Sequence, residues 1–410
     1  MRVSKHWFIT LGCLTVFIVA LITGVVWVDK YRYCDIRFRH NEICCSHEGI
    51  NPFDVWAHRV ESERFVGLSR PDFPKEPVTK LRVHAYPPWH TTFAWFYKWV
   101  PQEALASLVT ILTTLAFVLF GWTLRRWAPR EPRDDRQAFF LIPFAGIAIP
   151  MAYLIGTANY GGILLALIIG MMSTFEKRQD SLLGLLWALA MIKPQVSLLL
   201  FWPLFFAKRY KAIAIAVGIC SLATLWPAYI YHVSPIELIL QVSQIGAPYV
   251  MAEWTSVVGV VLKLFGPTGM PIWMGICFLA CAGLAFLSRR SNSVLLRFAP
   301  ALIIFPFWTY SQPHDRVVLG LLYALILSEV FGTGSGLFGP RERTLFTGVT
   351  MGLLFAIVFT AIWSLATMFA LFDPSGIGWI YRFIDLLPTY LPGALATWII
   401  LKDARRRPTA

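Results

Sequence analysis

Charge is what this chain has least of. Only 14% of its 410 residues are Asp, Glu, Lys or Arg, against roughly 25% in a soluble globule. With 57% hydrophobic residues and a mean hydropathy of +0.61, that scarcity excludes an ordinary soluble domain and leaves an integral membrane protein. Acidic residues are the rarer sign, 23 against 36 basic, for a net charge of +13. No basic face spans a folded domain, so nucleic acid is excluded as a partner. The basic residues sit in short clusters between apolar runs, where orientation signals are placed. Cysteine is sparse too, with seven in all. Cys13, Cys220, Cys277 and Cys281 lie in apolar runs and read as packing residues. Cys34, Cys44 and Cys45 share a polar stretch with His40 and His47, but the spacing fits no zinc module, and no metal is expected. If that stretch lies outside, one disulfide is open to it, Cys34 with Cys44 or Cys45. No small-x-small cleavage site follows the first apolar run, Trp7–Val28, which is longer than a signal h-region and reads as a retained anchor. There is no internal repeat and no low-complexity tract.

What is present is a series of apolar runs with basic ends. Arg2 and Lys5 precede the first run, so the N-terminus is expected in the cytoplasm. Residues 29–100 then form a large exterior loop, with the aromatic-rich Trp89–Val100 at the interface. Gln102–Leu124 returns to Arg125-Arg126, Arg130, Arg133 and Arg136. Ala138–Ile155 goes outward to Gly156–Gly162, and Ile163–Phe175 comes back to Lys177-Arg178. The stretch 181–207 has basic clusters at both ends, Lys177-Arg178 and Lys208-Arg209-Lys211. Its length of about 27 residues cannot cross ~30 Å twice, because one straight crossing takes about 20. It is expected to be a helical hairpin broken at Pro194, with Lys193 at depth near the tip. An intramembrane lysine calls for a function and a partner; the plain alternative is one that snorkels to the outer interface. Ser234-Pro235-Ile236-Glu237 is a capping box that starts a helix in a second exterior segment, 232–268. A third covers 372–385, and the last run ends at Lys402 and Arg405-Arg406-Arg407, placing both termini in the cytoplasm. The expected fold class is an all-α polytopic membrane protein, one domain over 1–410, with about 10–12 spanning or part-spanning helices.

By this topology the ionisable residues without an orienting role gather outside: Asp29, Asp35, Asp54, Lys193, Glu253 and His314-Asp315-Arg316. A carboxylate can take a proton from an attacking hydroxyl, and cations can hold a phosphate as it leaves a sugar. At this point the chain resembles glycosyltransferase family 87, polytopic GT-C enzymes that use polyprenyl-phosphate mannose or a similar lipid-linked sugar. The resemblance rests on Asp35 after the first span, on Asn51-Pro52-Phe53-Asp54, on Tyr86-Pro87-Pro88 and on Gly156-Thr157-Ala158-Asn159. It rests most of all on Gly184 and Ala190-Met191-Ile192-Lys193-Pro194 before Lys208-Arg209-Tyr210. Ser311-Gln312-Pro313-His314 matches the family more loosely. Departures are Thr157 for Gln, Phe53 for Tyr, and a polar segment after Asp35.

The resemblance implies a GT-C-like bundle and inverting transfer of a hexose, mannose by analogy. The donor would be a polyprenyl-phosphate sugar and the acceptor a glycolipid or glycan, on the outer face of the cell (inner) membrane. Asp35 would be the general base, with Asp29 and Asp54 behind it. Lys193, His314 and Arg316 would neutralise the donor phosphate; Asn51, Tyr86 and Asn159 would line the groove; no cofactor is implied. Plainer roles stand beside these: Asp54 and Asn159 as helix caps, His314 orienting the helix from Val317, and Arg316 as an interfacial anchor. The competing class is a lipid-linked sugar transporter or flippase, which also uses broken helices and buried cations.

Overall fold

The apolar runs fold as long helices because nothing polar interrupts them; prolines open some of them, as Pro88, Pro194 and Pro340 do, and others, such as Pro143, Pro150, Pro300 and Pro306, stand inside helices. The computed structural model describes residues 5–31, 33–53, 86–127, 133–241, 257–308, 313–331, 339–368 and 378–406. In order, α1 is Lys5–Tyr31, α2 Cys34–His47, α3 Pro88–Phe93, α4 Gln102–Trp127, α5 Arg133–Thr157, α6 Gly161–Glu176 and α7 Asp180–Ala190. α8 is Pro194–Phe206, with a 3₁₀ turn at its centre, followed by α9 Tyr210–Tyr231 and a short α10 at 235–241. α11 is Val257–Ser288, broken at Gly266 (φ 67°). α12 is Val294–Trp308, α13 Gly320–Phe331, α14 Pro340–Met368 and α15 Gly378–Arg406. No strand occurs among the described residues, and six of their helices are long and apolar enough to cross a membrane. The chain is an all-α polytopic membrane protein.

Two features of the packing position the site. First, α1 and α5 lie side by side, and both reverse abruptly at their C-terminal ends. Tyr33 (φ 59°) turns α1 into α2, and Ala158 (φ 51°) turns α5 towards α6. Both are non-glycine residues in the left-handed region, which costs about 1 kcal/mol or more each and persists only where the surroundings hold it. A hydrogen bond from Tyr33 N–H to the Gly156 carbonyl, 3.2 Å, joins the two reversals.

Second, α7 and α8 form a hairpin whose turn carries Lys193. α7 has 11 residues, about 16 Å of helix, so it covers only part of a bilayer. Pro194 opens α8 and holds the preceding Lys193 out of the helical region (φ −120°, ψ 78°). Backbone groups exposed by such a turn need partners at membrane depth, and three indoles supply them. Trp89 Nε1–H donates to the Met191 carbonyl (2.9 Å), Trp187 to Ser197 (2.9 Å) and Trp308 to Gln195 (2.5 Å). The Ser197 hydroxyl donates to the Lys193 carbonyl at 3.0 Å. Gly184 lets α7 lie against α9, since a Cβ there would sit 2.6 Å from the Ala212 carbonyl oxygen.

Where residues 29–100 were expected to be loop, Cys34–His47 is a helix with Asp35, Arg39, His40, Glu42 and Ser46 buried. Its polar residues mark a helix that packs among other polar groups. The Ser46 hydroxyl meets the Tyr231 hydroxyl at 2.5 Å, and His47 stacks on Trp95 with ring centroids 3.7 Å apart. Cys34, Cys44 and Cys45 stand as thiols rather than disulfides; Cys44 Sγ lies 3.6 Å from His40 Nδ1, and burial pushes the Cys45 thiol up to about 12. Ser234 caps α10 by accepting the Glu237 N–H at 3.1 Å.

Candidate active site

Four segments far apart in sequence meet around the side chain of Asn159. Its amide nitrogen donates to Asp35 Oδ2 at 2.6 Å. Its carbonyl oxygen accepts from Lys193 Nζ at 2.5 Å and from the Gly161 N–H at 3.0 Å, which also caps the start of α6. Lys193 Nζ in turn pairs with Asp315 Oδ1 at 2.5 Å. The result is one continuous line: Asp315 carboxylate, Lys193 ammonium, Asn159 amide, Asp35 carboxylate. All four are at least nine-tenths buried. A cation on the amide oxygen draws electron density from the NH2 group, so each bond polarises the next in a low-dielectric setting. Asp35 is thereby held in one orientation by an acidified donor, and the Lys193 charge is felt at Asp35 through a neutral group.

A second set of buried polar groups adjoins the line through α2. Arg39 lies one helical turn beyond Asp35, on the same face. It is buried, pairs with Glu42, and lies over the Tyr86 ring at 4.3 Å. Burial pushes its pKa down, but Glu42, Tyr86, Tyr160 and Asp35 outweigh that and the net direction is up, so it stays a cation. Tyr160, next to Asn159, shares its hydroxyl with Tyr97 (2.7 Å) and His90 Nε2 (3.2 Å). Burial, then the Arg39 charge, holds His90 well below the ordinary 6.5, so the ring is neutral. Tyr86 closes the group edge-on to Tyr160, with centroids 5.7 Å apart.

Of the residues singled out by sequence, Asp35, Asn159 and Lys193 are brought into contact. Tyr86 stands beside them on the Arg39 and Tyr160 side. Asn51 builds a turn instead: its Oδ1 accepts the Phe53 N–H (3.0 Å), and its Nδ2 donates to Gln241 (2.9 Å). Arg316 follows Asp315 in the 3₁₀ turn Pro313–Leu319 and is half-buried. The side chains of Asp29 and His314, and Asp54 and Glu253 entirely, lie outside the described residues. Two members of the site were given no role from sequence. Asp315 was grouped with the outward ionisable residues beside His314 and Arg316, although a lysine at depth demands an acidic partner and Asp315 stands in an outward turn. Arg39 was read as loop charge; its spacing of four from Asp35 was the available signal.

A helical membrane protein with a carboxylate clamped at the end of its spans, beside buried cations, has the build of a membrane-embedded transferase. The chain is matched over residues 84–305 by the model of glycosyltransferase family 87, and it belongs to that family. It is therefore a membrane glycosyltransferase, and membership sets aside the transporter reading of the broken hairpin. No curated protein and no solved structure matches it. The matched stretch contains Asn159 and Lys193 and stops short of Asp35 and Asp315, so those two are tied to the family region by contact rather than by the match.

Proposed function

We propose that the protein transfers a hexose, mannose by family resemblance, from a polyprenyl-phosphate donor to a hydroxyl of a glycolipid or glycan. In this reading the reaction takes place at the outer face of the cell membrane, both termini are cytoplasmic, and residues 1–410 act as one unit. Asp35 is the general base. It removes the proton of the acceptor hydroxyl as that oxygen attacks the anomeric carbon. The bond from that carbon to the phosphate oxygen breaks on the opposite face, giving inversion, and the polyprenyl phosphate leaves with the electron pair. The observation that carries this is the bond from Asn159 to Asp35, backed by Lys193: a carboxylate fixed in position, with a cation held behind its hydrogen-bond donor.

Lys193 takes a different part from direct phosphate binding. Two of its donors go to protein oxygens and it is 1% exposed, so it serves as the positive charge behind Asn159. Contact with the phosphate then falls to His314 and Arg316, in the same segment as Asp315. Asp35→Asn, which keeps the shape and removes the base, is expected to lower transfer from a radiolabelled polyprenyl-phosphate sugar by about 10²–10⁴-fold in membranes. Wild-type turnover in that variant would move the base to Asp29 or Asp54.

A further inference from the structure

The two helices that deliver Asp35 and Asn159 also wall a cavity. It has a volume of about 290 Å³ and is lined from α1 by Phe17, Leu21, Val25 and Val28, and from α5 by residues that include Met151 and Ile155. The α1 residues span about 16 Å along the helix, three turns at 1.5 Å per residue. It is therefore a long slot rather than a round pit. Leu21 and Val25 are 71% and 65% exposed, so the slot opens along the side of α1, within the stretch long and apolar enough to cross a membrane. Its upper end is fixed by sequence. Ile155 precedes Gly156, whose carbonyl takes the Tyr33 N–H, and Asp35 is two residues past Tyr33. Asn159 is four residues past Ile155.

We propose that this slot holds the first isoprene units of the donor's polyprenyl chain and so sets the height at which the sugar phosphate meets Asp35. This rests on the donor class given above and adds where its lipid lies. An apolar chain seated between α1 and α5 enters laterally from the bilayer, and its polar end emerges at the Tyr33–Gly156 junction. Any bilayer acyl chain can wet an apolar face. The continuity of this one with the clamped carboxylate, through both helices at once, singles out the chain whose head group reacts there. Binding at the slot is remote from the reacting atoms, so it fixes position without touching them.

The test uses the full-length protein in phosphatidylcholine vesicles with two diazirine probes, one on a polyprenyl phosphate and one on a phosphatidylcholine acyl chain. Labelling of α1 and α5 peptides by the polyprenyl probe, displaced by unlabelled polyprenyl phosphate, is expected. Leu21→Trp and Val25→Trp, which fill an exposed mouth, should raise KM for the long-chain donor about tenfold with little change in kcat, the effect of losing roughly two buried methylenes. Val118→Trp, on the 66%-exposed outer face of α4, should change neither. Equal labelling of the slot by phosphatidylcholine, undisplaced by polyprenyl phosphate, or polyprenyl labelling elsewhere, overturns the proposal. Turnover of the polyprenyl-phosphate sugar with labelling elsewhere sinks the slot alone. Absence of both turnover and polyprenyl labelling sinks the donor assignment with it.

Discussion

At the scale of single residues the molecule is governed by one buried lysine. Taking an ammonium and two carboxylates out of water costs several kcal/mol per ion, and Lys193 is tolerated because Asp315 and Asn159 meet it at 2.5 Å each. The pairing separates structural from chemical roles. Lys193→Met strands Asp315 and is expected to destabilise the fold by about 3–5 kcal/mol, read as a fall in melting temperature in detergent. Lys193→Met with Asp315→Leu removes both charges and should restore most of that stability, while transfer stays low because Asn159 has lost the cation behind it. Recovery of activity along with stability in the double variant would show that the lysine only holds the fold together. Sequence alone pointed to Lys193, because an ion in an apolar run stands out. It grouped Asp315 with the outward ionisable residues without pairing it to Lys193, because an acid in a polar turn has no such contrast.

At the scale of elements the most informative is α2, whose helical character was hidden by its polarity. A pattern search looks for an apolar stripe, whereas Asp35, Arg39, Glu42 and Ser46 make a polar stripe at helical spacing facing Tyr86, Tyr160 and Tyr231. The hairpin was easier to read, since its length, basic ends and central proline follow from bilayer thickness. The indoles that satisfy its turn were not, because a tryptophan's hydrogen-bond partner is a matter of tertiary contact. The α2 neighbourhood also has a pH signature. His90 is neutral in the folded protein, with its pKa held well below 6.5 first by burial and then by Arg39. The unfolded chain binds a proton near pH 6.5 and the folded one does not. Stability is therefore flat above that pH and declines as pH falls beneath it, by up to ~1.4 kcal/mol per pH unit for one proton. Melting temperatures at pH 7.5 and 5.5 should show a larger drop for the wild type than for His90→Gln. Equal drops would mean that the ring takes up its proton in the fold.

At the scale of the whole molecule the contacts sort the polar residues into two ends. At one, Arg209 bonds Asp180 (3.0 Å) and the Phe175 carbonyl (2.9 Å), and Arg297 lies over the Phe175 ring at 5.6 Å. At the other are Asp35, Asn159, Lys193 and Asp315. The 16 residues of α6 separate them by about 24 Å, less than the ~30 Å of the hydrocarbon core. The alternation of apolar runs made the two ends legible in sequence; which helices touch, and that Asn159 joins four segments, was settled only by packing. The cationic end should face the cytoplasm, since Lys and Arg near span termini are retained there. In a Cys34→Ser/Cys44→Ser background, exposed Glu48 and Lys177 mark the two ends when each is changed to cysteine. A membrane-impermeant maleimide on intact cells should label Glu48→Cys directly and Lys177→Cys only after permeabilisation. The opposite pattern would put Asp35 on the cytoplasmic side and require a donor whose sugar is presented there.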